Sequence, residues 1–393
     1  MPQHRFAAQR PLRLSHIEPF HVMRILADAQ AMEAAGHDVI HLEVGEPDFP
    51  TPAPIVAAGI AALSQHKTFY TGACGLPELR AAIAGFYASQ FGVTVDPARI
   101  IITPGASGAL QLILALLVER DTEVLLTDPG YPCNRHLVSL FEGKPVNVRV
   151  GPGSRYQMTA DLLTTNWNKN TVAALVASPA NPTGTVLELS ELAALAAAAR
   201  QRDCALIVDE IYQGLVYGRP HETVLSVADD VFVVNSFSKF FQMTGWRLGW
   251  LVAPEWALPD LEKLAQNLFL APPTVAQHAA LAAFTPETLA ILETRRQELA
   301  ARRTLLATGL QALGFEIPCV GDGAFYLWAD AARFTDDASD FAARLLAEEA
   351  VAVTPGVDFG HAPTLLRFAY TQPEARLNGA LQRIAHFCGR RPS

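Results

Sequence analysis

Lys239 follows the apolar run Val231 to Asn235 and stands eight positions before Arg247. Ser236 and Ser238 lie just ahead of the lysine, and Gly245 and Gly249 surround the arginine. A lysine leaving a buried strand can act as a nucleophilic amine and then as a proton-transfer base. An arginine fork suits phosphate or carboxylate oxygens. Taken singly, Lys239 reads equally well as a loop lysine in solvent. Asp209 closes the apolar run Cys204 to Val208, where a carboxylate needs a partner. Taken singly it reads equally well as a helix N-cap. Gly105-Ala106-Ser107 sits between a strand-like run and an apolar helical run. Such a junction offers backbone N–H groups and a helix dipole to a phosphate. Asn181 lies in Asn181-Pro182-Thr183-Gly184, a good turn whatever its chemistry. Arg367, between Leu366 and Phe368, is either an edge-strand arginine facing solvent or a bidentate carboxylate site. Tyr131 alone suggests a half-buried aromatic, and Tyr70 alone suggests nothing.

The elements that must position these residues alternate between two periods. Strand-like runs are expected at Val39 to Val44, Ile100 to Thr103, Glu123 to Thr127, Val146 to Val150, Thr171 to Ala177, Cys204 to Val208, Val231 to Asn235 and Leu248 to Val252. Helical spacing falls between several of them, as at Ala109 to Val118 and Glu188 to Arg200. Strands apolar on both faces with helices between them predict a mostly parallel sheet with helices on both faces. Pro104 to Gly108 reads as a turn. We place a large α/β domain at 46–285. A long exposed helix is expected over 286–313, followed by strands at Phe325 to Trp328, Val351 to Val353 and Leu365 to Tyr370. Residues 1–45 and 286–393 are read as a smaller α+β domain, with an N-terminal arm over 1–16 and a helical pattern over 17–35. Phe325 and Tyr326 are either core or the wall of a side-chain pocket, and Trp328 is read as core.

With 393 residues and half of them hydrophobic, the chain can bury a large core. Thirty basic against thirty-nine acidic residues leave a net charge of −9, and no Lys/Arg block forms a nucleic-acid or lipid footprint. No run reaches the roughly 20 apolar residues of a membrane span. Arg5, Arg10 and Arg13 are not followed by the apolar run of a signal peptide. Five scattered cysteines without a CxxC pair suggest reduced thiols in a cytoplasmic protein.

In their order along the chain, from about 39 to 370, these motifs resemble the class I/II aminotransferases of the aspartate aminotransferase superfamily. The resemblance implies the PLP-dependent transferase fold type I, with pyridoxal 5'-phosphate (PLP) as cofactor. By position, Lys239 matches the attachment lysine and Arg247 the arginine on the PLP phosphate. Ser236 and Ser238 occupy the adjoining hydroxyl positions. Gly105, Ala106 and Ser107 match the phosphate cup, and Tyr131 the aromatic stacked on the ring. Asn181 and Tyr212 match the two residues at the 3'-oxygen, and Asp209, heading Asp209-Glu210-Ile211-Tyr212, matches the partner of the pyridine nitrogen. Arg367 matches the arginine that binds the substrate's α-carboxylate, with Gly45 near it. Tyr70 matches a tyrosine sent across a homodimer interface to the phosphate.

The resemblance implies ping-pong transfer of an amino group from an L-amino acid to a 2-oxo acid such as 2-oxoglutarate, with Lys239 as the proton shuttle. Residues 260–285 contain no arginine for a distal carboxylate, which favours a broad, neutral or aromatic donor. A carbon–sulfur β-lyase would share almost every named residue. An inert binding protein on this fold would not need the intact set. Little chain is left over for an added DNA-binding module.

Overall fold

The structure, a computed structural model, describes residues 11–19 and 21–389, without the side chains of Leu12 and His21. Residues 1–10 of the expected arm, Arg5 and Arg10 among them, lie outside the described residues. The first long helix runs His21–Ala34 and leads to a two-residue strand, β1 (Ile40–His41).

A seven-stranded sheet follows, built from β2 (Ile100–Thr103), β3 (Glu123–Asp128), β4 (Lys144–Arg149), β5 (Thr171–Ala177), β6 (Ala205–Asp209), β7 (Phe232–Ser236) and β8 (Gly249–Val252). The strand order is β2-β8-β7-β6-β5-β3-β4. All neighbours are parallel except β8, which is antiparallel to both β2 and β7. Side chains alternate between two cores as the pleat requires. Leu206 and Val208 pack into one cluster and Ile207 into the other. Helices Pro77–Phe91, Leu189–Gln201 and Thr274–Ala280 bury residues in the first, and Gly105–Leu117 and Leu258–Leu268 in the second. Both faces are therefore covered, which is why these strands read as unbroken apolar runs.

Beyond helix Pro286–Leu313 come β9 (Tyr326–Asp330), β10 (Val351–Ala352), β11 (Thr354–Pro355) and β12 (Leu365–Ala369). β11, β12 and β9 form an antiparallel sheet in that order, while β10 pairs in parallel with β1. A third cluster, around Phe315, Phe341, Phe368 and Leu377, fills this part of the molecule.

Several local expectations are corrected. The strand expected over 39–44 shrinks to Ile40–His41. Its ladder ends because the Leu42 carbonyl, beyond the bond from the Leu42 amide to Ala352, accepts instead from the Ala369 amide on β12. The turn expected at 104–108 is the first turn of helix Gly105–Leu117. Gly105 at φ 72° makes the sharp entry that the pattern of turn residues signalled. Helix Pro286–Leu313 has the expected bounds but is not simply exposed. Leu292, Leu299, Arg302, Leu306 and Leu310 give it a buried face. The helices Ala160–Asn166, Leu258–Leu268 and Thr274–Ala280 were not assigned from the sequence.

Candidate active site

The chemistry-bearing residues gather at one end of the central strands of the large sheet. Asp209 ends β6, Ser236 ends β7 and Gly249 begins the antiparallel β8. Ligand sites in open α/β sheets lie at the carboxyl ends of the parallel strands. A cavity of about 300 Å³ opens there. Among its walls are Gly45, Ala106, Ser107, Tyr131, Asn181, Asp209, Tyr212, Ser236, Ser238, Lys239, Arg247 and Arg367.

The Lys239 amine donates to the Gly45 carbonyl at 2.6 Å. Burial pulls its pKa down to about 8, with Arg367 and Arg247 acting in the same direction and Glu46 and Asp209 opposing them. Asp209 is buried, and desolvation raises its carboxyl to about 6. One of its oxygens accepts from the Ile211 amide at 3.0 Å. The desolvated carboxylate thus faces a cavity where a cationic partner would relieve it.

Arg247 turns through a left-handed backbone at φ 54°. A Cβ added to Gly105 would stand 2.7 Å from the Arg247 guanidinium. A Cβ at Gly249 would come within 2.8 Å of the Ala106 amide nitrogen. Two glycines therefore let the arginine and β8 close on the helix N-terminus, where N–H groups and dipole favour an anion. Ser236 Oγ lies 3.0 Å from Ser238 Oγ and also accepts from the Ser238 amide at 3.0 Å. The hydroxyls sit in one tight loop at the same rim.

Arg367 is 2% exposed, so the solvent-facing reading is excluded. Its Nη1 donates to Asn181 Oδ1 at 3.0 Å, and its Nη2 to the Glu43 carbonyl. Thr354, directly opposite it on β11, accepts from Nη2 at 3.4 Å. Its guanidinium lies 4.4 Å from the centroid of the Tyr326 ring. The Tyr326 hydroxyl is 2.8 Å from that of Tyr212. Tyr326 lines the cavity, so the two readings left open for it resolve to both: core strand and site wall. Phe325 is fully buried, 5.8 Å from the Lys239 amine. Val22, Met23, Val44, Glu46, Leu110, Ile211 and Thr244 also line the cavity and were not singled out in the sequence. They carry no motif, only a position reached by folding. Tyr70 is not brought to the cavity within this chain and is 80% exposed.

Residues 37–384 match the family model for aminotransferase class I and II. The chain belongs to the class I and II aminotransferase family. It is 39% identical to the valine–pyruvate aminotransferase of Mycobacterium tuberculosis over 94% of this chain and 96% of that one. It is 36% identical to the (5-formylfuran-3-yl)methyl phosphate transaminase of Methanocaldococcus jannaschii over 95% of this chain and 98% of that one. The crystal structure of an aminotransferase from Mycobacterium tuberculosis superposes with a TM-score of 0.94 at 37% identity, covering 98% of this chain and all of that one. The protein is thus a PLP-dependent transaminase of fold type I.

The site's geometry fits that cofactor. Gly105, where a Cβ would meet the Arg247 guanidinium at 2.7 Å, lets that cation close on the helix N-terminus, a pairing that suits a phosphate. The cavity-facing Asp209 carboxyl suits a pyridine nitrogen, and Lys239, with its depressed pKa, opens onto the same space. Among the described residues no helix of this aminotransferase is long and apolar enough to cross a membrane.

Proposed function

We propose that this aminotransferase moves the amino group of a neutral or apolar L-amino acid to a small 2-oxo acid, with 2-oxoglutarate as the first candidate acceptor. The observation that carries the donor class is the cavity wall. Val22, Met23, Val44, Leu110 and Ile211 supply apolar surface. The cations lining the cavity are Lys239, Arg247 and Arg367, each with a role already. A relative named valine–pyruvate aminotransferase supports the same class and makes pyruvate the second acceptor to try.

In this reading Arg247, the Gly105-Ala106-Ser107 amides, Ser236 and Ser238 hold the PLP phosphate. Tyr131 covers the ring. Asp209 pairs with the ring nitrogen, and Asn181 and Tyr212 face the 3'-oxygen. The cofactor, when bound, supplies an electron sink for charge developing at the substrate Cα. Arg367 fixes the substrate carboxylate, with Gly45 leaving room beside it. Lys239 Nζ would take the Cα proton and hold it on its amine. Holding both anions aligns the Cα–H bond with that amine. Residues 46–285 form the cofactor domain and 1–45 with 286–393 the smaller one. The enzyme works in the cytoplasm as a homodimer, with Tyr70 reaching the partner's phosphate site. The exposure of Phe69, Tyr70, Ile60 and Leu63 supports such an interface.

The test is a panel of amino donors with 2-oxoglutarate and with pyruvate, reading both products. Turnover of valine, leucine or phenylalanine well above aspartate is expected. Preference for aspartate would overturn the donor class. Pyruvate and ammonia released from a β-substituted donor without an acceptor would make it a β-lyase. Sedimentation should give a dimer, and a monomer with full activity would sink the Tyr70 assignment.

A further inference from the structure

Tyr326 begins β9, and its side chain is 1% exposed. Arg367 on β12 pairs with Trp328, so Tyr326 is its diagonal neighbour on the same face. That register puts the Tyr326 ring 4.4 Å from the Arg367 guanidinium. The hydroxyl end points the other way, to Tyr212 Oη at 2.8 Å. It fills the notch left by Gly45, where a Cβ would stand 2.0 Å from Tyr326 Oη. One side chain therefore touches both the carboxylate-binding arginine and the tyrosine of the cofactor site.

We propose that Tyr326 is a positioning residue that donates its hydroxyl proton to Tyr212 Oη, leaving the Tyr212 proton for the cofactor's 3'-oxygen. This rests on the placing of Tyr212 at that oxygen proposed above. The direction follows from counting protons. Each phenol has one O–H. Burial raises the pKa of both phenols, so both stay protonated near neutral pH. If Tyr212 spends its proton on the cofactor oxygen, the proton in the 2.8 Å contact belongs to Tyr326. Hydrogen bonds in such a chain polarise one another, and the last donor becomes stronger. Tyr326 thus strengthens the grip on the 3'-oxygen while its ring supports Arg367.

Three variants test this: Tyr326→Phe, Tyr326→Leu and Tyr212→Phe, each with PLP bound. The readouts are the pH midpoint of the bound cofactor's absorbance change and the steady-state KM and kcat. Loss of a proton from the lysine–cofactor linkage concentrates negative charge on the 3'-oxygen, where a strong donor matters most. Weakening that donor should raise the midpoint. Tyr326→Phe should raise it by on the order of half a pH unit, and Tyr212→Phe by more. Tyr326→Phe keeps the ring, so the KM for the donor should stay near wild type. Tyr326→Leu loses the ring as well and should raise that KM several-fold. If Tyr212→Phe shifts the midpoint and Tyr326→Phe does not, the relay is wrong and the placing of Tyr212 stands. If neither shifts it, that placing fails, and the relay with it. A raised KM in Tyr326→Phe without a spectral shift would reduce Tyr326 to packing.

Discussion

Arg367 Nη1 donates to Asn181 Oδ1 at 3.0 Å across 186 residues of sequence. The bond joins the central strand of the small antiparallel sheet to the turn that follows β5. It fixes the guanidinium on one side, while the Glu43 carbonyl and Thr354 hold it on the other.

Replacing that arginine should therefore affect substrate binding before cofactor binding. Arg367→Lys keeps a charge but cannot reach Asn181 and Glu43 together, because a lysine is a point charge on a flexible stem. The donor KM should rise by about 10²-fold, since losing a buried charged hydrogen bond costs about 2–5 kcal/mol. Steady-state kinetics with a neutral donor measure it, and PLP affinity by equilibrium dialysis should change little.

With Lys239 as the proposed attachment point, its lowered pKa sets a pH dependence for cofactor loading. Attachment needs the neutral amine. A pKa of about 8 leaves about one amine in ten neutral at pH 7, against fewer than about one in a thousand for an ordinary lysine. The folded-state pKa lies below the unfolded one, so the charged form is disfavoured in the fold. The rate of PLP uptake by the apoenzyme should rise close to tenfold per pH unit below 8 and level off above it. Stopped-flow absorbance reads the profile. Lys239→Ala should abolish fixation of the cofactor by borohydride.

Gly105 adopts φ 72°, and a Cβ there would press on the Arg247 guanidinium at 2.7 Å. Gly105→Ala combines a left-handed backbone cost of about 1–2 kcal/mol with displacement of the Arg247 guanidinium proposed to hold the phosphate. PLP should bind about tenfold more weakly or worse, read by dialysis. The sheet strands need not move, so far-UV circular dichroism should be unchanged.

Arg302, 3% exposed on the long helix, donates to Asp48 at 2.8 Å and to Glu298 at 2.6 Å, and lies 4.8 Å from the Phe49 ring centroid. It pins the loop that follows Gly45. Asp48→Ala strands part of a buried guanidinium and should cost about 1–3 kcal/mol of stability. Urea denaturation of the holoenzyme checks this. A further rise in donor KM is expected, because the pinned loop leads back to Gly45 and Glu43.

Much of the site was legible in the chain because its residues sit at element ends that leave local marks. Asp209 follows a wholly apolar strand, Lys239 follows another, and Gly105 opens a helix. The alternation of buried strands and helices likewise implied a parallel sheet, since only a sheet covered on both faces makes such runs. Tyr326 left no such mark. An aromatic in a core strand looks the same whether its hydroxyl meets solvent, a carbonyl or another phenol. Its role depends on Tyr212, 114 positions away, and on the β9–β12 register. The fate of Arg367, edge or interior, depended on β11 covering it. The apolar wall from Val22 and Met23 depended on where the first helix docks. Sequence by itself determined the kinds of group and their order, because propensity and periodicity are local. Tertiary structure decided which groups face one another, because that is set by packing between segments hundreds of residues apart.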